Sequence, residues 1–353
     1  MGYRIFIINL GSSSTKVACY NGEAMLFTTT IRHPAAELKT FKRSVDQSDY
    51  RFEAVLKVAE EHGCDLSRVD IFMSRGGLLR PAPGGIYAIN QRMLDDLLAC
   101  RYGEHACNAG PIIAHKLSVK YGKPAYIKDP PTVDEYDDLS RVTGLPFMKR
   151  ISRFHALNQK EAAKRAAAAL GKKYEESRFI VAHLGGGITV GVHENGMVID
   201  ASNPSDEGPL STDRTGCLPN TQLIEFCFSG ARTREDVSRV LFGQGGLVAY
   251  TGSTDLKEIM ARRENDHDLQ LLIDAMLYRI SFWICGFAAR LKGRIDGVII
   301  TGGMANDAYV VDMIKDRVGF LAPFFVFPGE LEMEALAVGG GSVLEGRVEV
   351  KEY

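Results

Sequence analysis

The chain has 353 residues, enough for two domains, with 45% hydrophobic and 24% charged residues and a formal net charge of −2. That balance argues against broad nucleic-acid binding, which needs a basic field, but leaves room for a local basic cleft that takes a small phosphate. Seven scattered cysteines without a CxxC pair argue against a structural zinc site and fit a reduced, cytoplasmic compartment. No apolar run of about 18 residues is counted, so no membrane span or membrane partner is predicted. The N-terminal apolar stretch is too short for a signal peptide, and Phe6 stands where a myristoylation motif needs Ser or Thr.

In chain order, residues 4–20 read as two strands around a Gly-Ser-Ser-Ser turn. Helical periodicity follows at 50–62, with Phe52, Val55, Leu56 and Ala59 on one face, and at 91–101, with Met93, Leu94, Leu97 and Leu98. Residues 124–147 hold four prolines and several acids and read as loop-rich. Asn158 with Glu161 three residues on reads as a capping-box variant opening an alanine-rich helix to about 170; two ordinary surface residues are the alternative. Residues 268–292 carry the longest apolar-periodic helix. "RIDGVIITGG" is a buried strand entering a glycine turn, and the chain from about 329 reads as helix.

The stretches "RIFIINLGSSSTKVACYNGE" and "RFIVAHLGGGITVGVHENGM" align without gaps at an offset of 174 residues. Both give strand, glycine-centred turn, strand and then Asn-Gly, a type I′ hairpin signal that predicts a third strand. Two unrelated hairpins would share Asn-Gly but not the whole alignment. The echo therefore predicts two similar domains, each opening with a β-meander.

A turn needs only two or three special residues, so Asn9, Gly11, three serines and Lys16 in one bend ask for a further purpose. A strand–glycine turn–strand exposes several backbone N–H groups as an anion nest. Ser12, Ser13 and Ser14 add hydroxyls, and Lys16 adds a point charge. Gly185, Gly186 and Gly187 let backbone approach a ligand closely. Two such turns on two domains suit one nucleoside triphosphate.

With these turns, the late "TGGMAN" and the duplicated halves, the chain resembles the acetate/propionate kinase, actin and sugar kinase superfold. "NLGSSSTK" is similar to the acyl-carboxylate kinase signature. "SRGGLLRPAPGGIYAIN", "EHACNAGP" and "GELEMEALA" look like butyrate kinases more closely than acetate kinases. The resemblance covers nearly the whole chain. It implies an α/β fold of two similar domains of mixed β-sheet with helices, the actin-like ATPase or acetate kinase-like fold on a duplicated ribonuclease H-like core. An acyl-substrate domain is expected over 1–150 and a nucleotide domain over 151–334, with a C-terminal helix at about 335–353 packing back on the first. It also implies ATP with Mg2+, a small carboxylate such as butyrate or a branched-chain acid, and a homo-oligomer.

Such a carboxylate has a pKa of about 4, so it is ionised at neutral pH and needs charge neutralisation rather than a base. By resemblance, Arg75 contacts the acyl carboxylate, Arg214 stabilises the transferring phosphoryl, His155 steadies the transition state, and Asp129 is an essential acid. For Asp129 the physically easier tasks are holding Mg2+ or orienting Arg75. Ser12, Ser14, Lys16, His183, Gly185, Gly186 and Gly187 match the phosphate positions. Asp255, Lys257, Gly302, Gly303 and Asn306 match the adenosine segments, with a bare structural turn as the alternative for Gly302-Gly303. Asn9 and Glu332 match the metal side; Glu330, Glu332 and Glu334 also read as ordinary helix-start acids.

The chain departs from acetate kinases where they carry His-Asn-Pro-Pro: it has Ala106-Cys107-Asn108-Ala109, with His105 out of register. That weakens acetate as the substrate. Acetate or propionate kinase activity remains an alternative. A sugar kinase, which needs Asp129 as a base, and a non-catalytic nucleotide switch are the further alternatives.

Overall fold

The computed structural model describes residues 2–353, which divide into two compact units. The first unit carries β1 (Arg4–Leu10), β2 (Ser14–Asn21), β3 (Ala24–Arg32), α1 (Ala35–Leu38), α2 (Ser48–Glu61), β4 (Ile71–Arg75), β5 (Ile86–Ala88), α3 (Gln91–Leu98), α4 (Ala109–Tyr121) and β6 (Ala125–Lys128). The second begins at Glu135 and carries α5 (Asp138–Arg141), α6 (Ala156–Ala169), β7 (Arg178–Leu184), β8 (Ile188–Glu194), β9 (Met197–Ala201), α7 (Asn220–Phe228), α8 (Arg234–Leu241), α9 (Leu247–Thr251), α10 (Leu256–Arg262), α11 (His267–Ala288), β10 (Gly297–Gly302), α12 (Ala308–Val318) and β11 (Phe324–Pro328). The chain then returns to the first unit with α13 (Glu332–Leu344) and β12 (Val350–Lys351).

Both sheets follow one plan. In the first, β1, β2 and β3 form an antiparallel meander, β4 pairs parallel to β1, and β6 parallel to β4; the order is β12-β5-β6-β4-β1-β2-β3. In the second, β7, β8 and β9 form the meander, with β10 parallel to β7 and β11 parallel to β10. The predicted third strands are thus β3 and β9. A register irregularity falls at Cys19/Tyr20 in the first meander and at Val192/His193 in the second, one residue apart in the internal alignment.

The central strands explain their own sequences. β1 and β7 are flanked by strands on both sides and covered on both faces, so "RIFIINL" and "RFIVAHL" read as unbroken apolar runs. Phe6, Ile8 and Leu10 face a core shared with Val55 of α2 and Ile113 and Leu117 of α4. Ile5, on the opposite face, meets α13: a Cβ on Gly340 would lie 2.9 Å from Ile5 Cγ2 and 3.0 Å from Met73 Cγ. The Gly339-Gly340-Gly341 run is what lets α13 lie that close to β1 and β4.

Several expectations need correction. The C-terminal segment is not one helix over 335–353: α13 ends at Leu344, Gly346 takes φ +67°, and the last residues pair as β12 with β5. Asn158 does not cap a helix. α6 begins at Ala156, and Asn158 is fully buried, its Oδ1 accepting from Thr301 Oγ1 at 3.0 Å. Its tertiary partner on β10 outweighs the local capping preference. The loop-rich stretch 124–147 includes β6 and α5, and the second unit starts at Glu135, whose carboxylate bonds Lys160 Nζ (2.7 Å) and the Val198 N–H (2.6 Å). α11 is, by length and composition alone, long and apolar enough to cross a membrane, because its mean hydropathy stays high despite Asp274 and Arg279. Its Ile273, Met276, Leu277, Ile280 and Ile284 are buried in the core under β7, β8 and β10.

The close approach of α13 generates an expected outcome. Gly340→Val overpacks against Ile5 and Met73 and should cost about 1–3 kcal/mol in denaturant unfolding. Gly341→Ala, whose nearest outside atom would be 3.9 Å away, should be neutral or stabilise by up to about 1 kcal/mol through helix propensity. Equal effects of the two changes would refute this account of the glycine run.

Candidate functional site

In the first unit the site residues gather at the carboxyl ends of three neighbouring parallel strands, β1, β4 and β6. The pairings Ile8↔Ser74 and Arg75↔Lys128 set Asn9, Arg75, Lys128 and Asp129 along one edge. Lys16 of β2 lies directly opposite Asn9. The first turn of α13 adds Glu332. Asn9 Nδ2 donates to Glu332 Oε2 at 2.7 Å, and Arg75 Nη1 lies 3.4 Å from the same oxygen. Glu332 is buried, whereas Glu330 and Glu334 are exposed, so register alone separates the three acids. Both contacts fall on Oε2, which leaves Oε1 as a carboxylate oxygen for a cation. Among the described residues no group of three or more His, Cys, Asp or Glu is placed to hold a metal. The Asn9–Glu332 pair therefore suits a cation that keeps most of its water and phosphate ligands.

Asp129 is buried with φ +42°, a left-handed backbone uncommon outside glycine. Its Oδ1 accepts from the Gly85 N–H at 2.7 Å. Arg75 thus meets Glu332, and Asp129 is tied to the Gly84-Gly85 loop. Asn108, fully buried, accepts from the Leu78 N–H at 2.8 Å and donates to Gly103 O at 2.9 Å, fixing the loop after Arg75. His105 accepts from the Cys107 N–H at the start of that turn. Sequence reasoning did not single out Lys128, which is buried and donates to Ala335 O of α13 at 2.7 Å.

The first glycine turn has its carbonyls satisfied from behind. Arg51 of α2 donates to Gly11 O (3.1 Å), Ser12 O (2.8 Å) and Ser14 O (2.9 Å), and the His33 N–H donates to Ser13 O at 2.9 Å. Ser12 is exposed and Ser14 and Lys16 half-buried. Burial, with the Arg51 charge second, holds the His33 imidazole down at about 4, so it is neutral at pH 7 where it meets Thr15 Oγ1 at 2.9 Å.

In the second unit the corresponding turn is Gly185-Gly186-Gly187. Ser211 Oγ donates to Gly186 O at 2.7 Å, and a Cβ on Gly186 would meet nothing within 4 Å. A cavity of about 950 Å3 opens beside it, lined by the predicted Gly185, Gly186, Asp255, Lys257, Gly303 and Asn306. Asp255 is also the N-cap of α10, accepting from Lys257 N and Glu258 N at 2.9 and 3.2 Å. Met260, Met304 and Arg263 give the cavity apolar walls and a cation; of the three only Met304 falls in a motif, "TGGMAN". Thr212 lines it too: the residue is 3% exposed and its Oγ1 makes no hydrogen bond, an orphaned hydroxyl suited to a polar ligand. Gly302, at φ +95°, must be glycine because a Cβ would fall 2.4 Å from Leu184 O; that part of the motif is a structural crossing of β10 over β7.

His155 and His183 stack at 3.9 Å with ring planes 17° apart. A buried chain reaches His155 from behind. Tyr174 OH meets His193 Nδ1 (2.8 Å), His193 Nε2 meets Gln159 Oε1 (3.2 Å), and Gln159 Nε2 donates to Thr189 Oγ1 (2.8 Å). Thr189 Oγ1, which accepts from Gln159, also meets His155 Nδ1 at 2.9 Å and so fixes the orientation of that ring. Burial, then the Lys160 charge, holds His193 well below its usual range, so the chain stays neutral. Arg214 is half-buried, with Asp213 as its partner at 3.4 Å, and no contact joins it to His155 or His183.

Comparison with known proteins follows this geometry. Residues 147–322 match the acetokinase family. The chain is 45% identical over 356 residues to a probable butyrate kinase of Coprothermobacter proteolyticus, and 42% identical over 355 residues to butyrate kinase 2 of Clostridium acetobutylicum; each alignment spans 100% of both chains. Among solved structures, Porphyromonas gingivalis acetate kinase superposes with TM-score 0.78 at 17% identity, covering 97% of this chain and 100% of that one. A propionate kinase from Francisella tularensis gives 0.75 at 18%, covering 95% and 98%. These two establish the acetate kinase-like fold.

The histidine relay predicts that Gln159→Met, close to it in volume, removes the Gln159 bonds to His193 Nε2 and Thr189 Oγ1. Stability toward denaturant should fall by about 1–3 kcal/mol, and the His155 signals should shift in imidazole nitrogen NMR. An unchanged His155 signature would remove the relay from the site.

Proposed function

The chain belongs to the acetokinase family, and from that premise we propose that it transfers the γ-phosphoryl of ATP to butyrate, giving butyryl phosphate and ADP reversibly. It is a phosphotransferase with a carboxyl group as acceptor. The observation that carries butyrate over acetate is the end-to-end identity with butyrate kinases. Cys107 in place of the histidine of acetate kinases agrees with it.

A butyrate oxygen attacks Pγ, the bond from Pγ to the β,γ-bridging oxygen breaks, and ADP leaves with the electron pair. The nucleophile is already ionised, so no base is needed and the work is positioning and charge. Arg75, held by Glu332 at the end of β4, receives the butyrate carboxylate and offsets its approach to an anion. Asp129, with its carboxylate bonded to Gly85 N–H, acts by fixing the loop that flanks that site. His155 and Arg214 donate to the transferring phosphoryl oxygens, and His183 braces His155 by stacking. Ser12, Ser14 and Lys16 of the first turn, and Gly185, Gly186 and Gly187 of the second, take phosphate oxygens. The adenosine lies in the cavity beside α10, with Asp255, Lys257, Gly303 and Asn306 at its polar edge and Met260 and Met304 on the base. Gly302 serves by keeping β10 close to β7. Asn9 and Glu332 supply the protein side of Mg2+, which offsets phosphate charge when bound. We place the acyl side in the first unit, the nucleotide side in the second, and the protein in the cytoplasm as a homo-oligomer, a dimer or a multiple of dimers. The outward face of α11, with Leu271, Tyr278 and Phe282 exposed, supports self-association.

Acyl phosphate trapping with hydroxylamine, run on acetate, propionate, butyrate and isobutyrate with ADP release, should favour butyrate over acetate. Selectivity should be modest, because each methylene is worth about 1–3 kcal/mol in an apolar pocket. A clear acetate preference would overturn the butyrate assignment, and ATP turnover on a sugar hydroxyl without trapped product would overturn the carboxylate. Arg75→Ala should raise the carboxylate KM and lower kcat by about 10²–10³-fold with ATP affinity nearly intact. Unchanged acceptor kinetics would remove Arg75 from the site.

A further inference from the structure

The first glycine turn is built around a cation that none of the motifs contains. Arg51 is fully buried. Its Nε and Nη2 donate to Gln47 Oε1 at 3.0 and 2.8 Å, and Nη2 also to Ser12 O at 2.8 Å. Nη1 donates to Gly11 O, Ser14 O and Thr15 Oγ1 at 3.1, 2.9 and 3.1 Å. Every partner is a neutral oxygen, and among the described residues Arg51 forms no ion pair. A buried guanidinium without a carboxylate is costly and needs an explanation beyond turn-holding, for which a neutral donor or a paired arginine would serve.

Peptide geometry supplies one. Across a trans peptide the carbonyl and the following N–H point opposite ways. Arg51 draws Gly11 O and Ser12 O inward, so the Ser12 and Ser13 N–H groups face outward, and neither donates to any backbone carbonyl. The result is two adjacent outward N–H dipoles backed by an uncompensated positive charge, an arrangement complementary to an anion on the exposed side. His33, next to Arg51 through Thr15, is neutral and does not share that charge.

We propose that Arg51 is a positioning residue for phosphate: it orients the turn's peptides and lends its charge through them to the phosphoryl oxygens of the nucleotide. This rests on the reading of the first turn as a phosphate site. It assigns Gln47 a role as well, as the neutral partner that leaves the Arg51 charge uncancelled. Gln47→Glu is then the decisive variant, because it keeps shape and hydrogen bonds while placing a carboxylate against the guanidinium.

The experiment is calorimetric titration of wild type, Gln47→Glu and Arg51→Lys with MgATP and, separately, with adenosine, alongside thermal unfolding. Gln47→Glu should fold at least as stably as wild type and bind adenosine equally, yet bind MgATP weaker by about tenfold, the scale of one partly buried charge interaction. Arg51→Lys, which keeps the charge but not the fork, should bind MgATP within a few-fold of wild type. Equal MgATP binding by Gln47→Glu and wild type, or equal weakening for MgATP and adenosine, would reduce Arg51 to a structural clamp and overturn the proposal. A Gln47→Glu chain that fails to fold would overturn it also, since an acid should stabilise a bare buried guanidinium. Wild type that binds MgATP no tighter than adenosine would instead sink the first turn as a phosphate site.

Discussion

A peptide unit can show a ligand its N–H only if something else holds its carbonyl, because the two are fixed back to back. Both glycine turns obey that constraint with different parts. In the first unit Arg51 and the His33 N–H hold the carbonyls of residues 11–14. In the second, Ser211 Oγ holds Gly186 O, which turns the Gly187 N–H the other way.

The first unit sets its charges where parallel strands end. β1, β4 and β6 deliver Asn9, Arg75 and Asp129 to one edge, and α13 returns to add Glu332. Arg75 and Asn9 share one Glu332 carboxylate oxygen. Asp129 in a left-handed conformation stores strain at the same edge, tolerated because Gly85 and Asp129 bond each other through both backbone and side chain. The proposed attack of one anion on another asks for a preorganised positive edge rather than for a proton acceptor.

The second unit trades charge for orientation. Its histidine pair is backed by a chain of buried groups, Tyr174, His193, Gln159 and Thr189, that orients His155. An orphaned Thr212 hydroxyl and the open face of Gly186 line a cavity of the size a nucleoside fills.

The sequence by itself determined the duplicated meanders, the two glycine turns and the strand end that bears Asn9; the strands that end at Arg75 and before Asp129 were not legible in it. Those are local: apolar runs, Asn-Gly hairpins and glycine at tight approaches act within a few residues. It also marked six residues that line the cavity beside α10, because they sit in contiguous motifs. Tertiary structure alone decided which of three neighbouring glutamates is buried, that Asn158 bonds Thr301 instead of capping a helix, and that the last residues form a strand. It alone brought Arg51 beneath the first turn and Gln159 behind His155. An arginine in "DYRFEAV" and a glutamine in "ALNQKEA" look like any helix-surface residues until long-range packing buries them. A buried polar group takes its meaning from partners distant in the chain, and no local pattern encodes those.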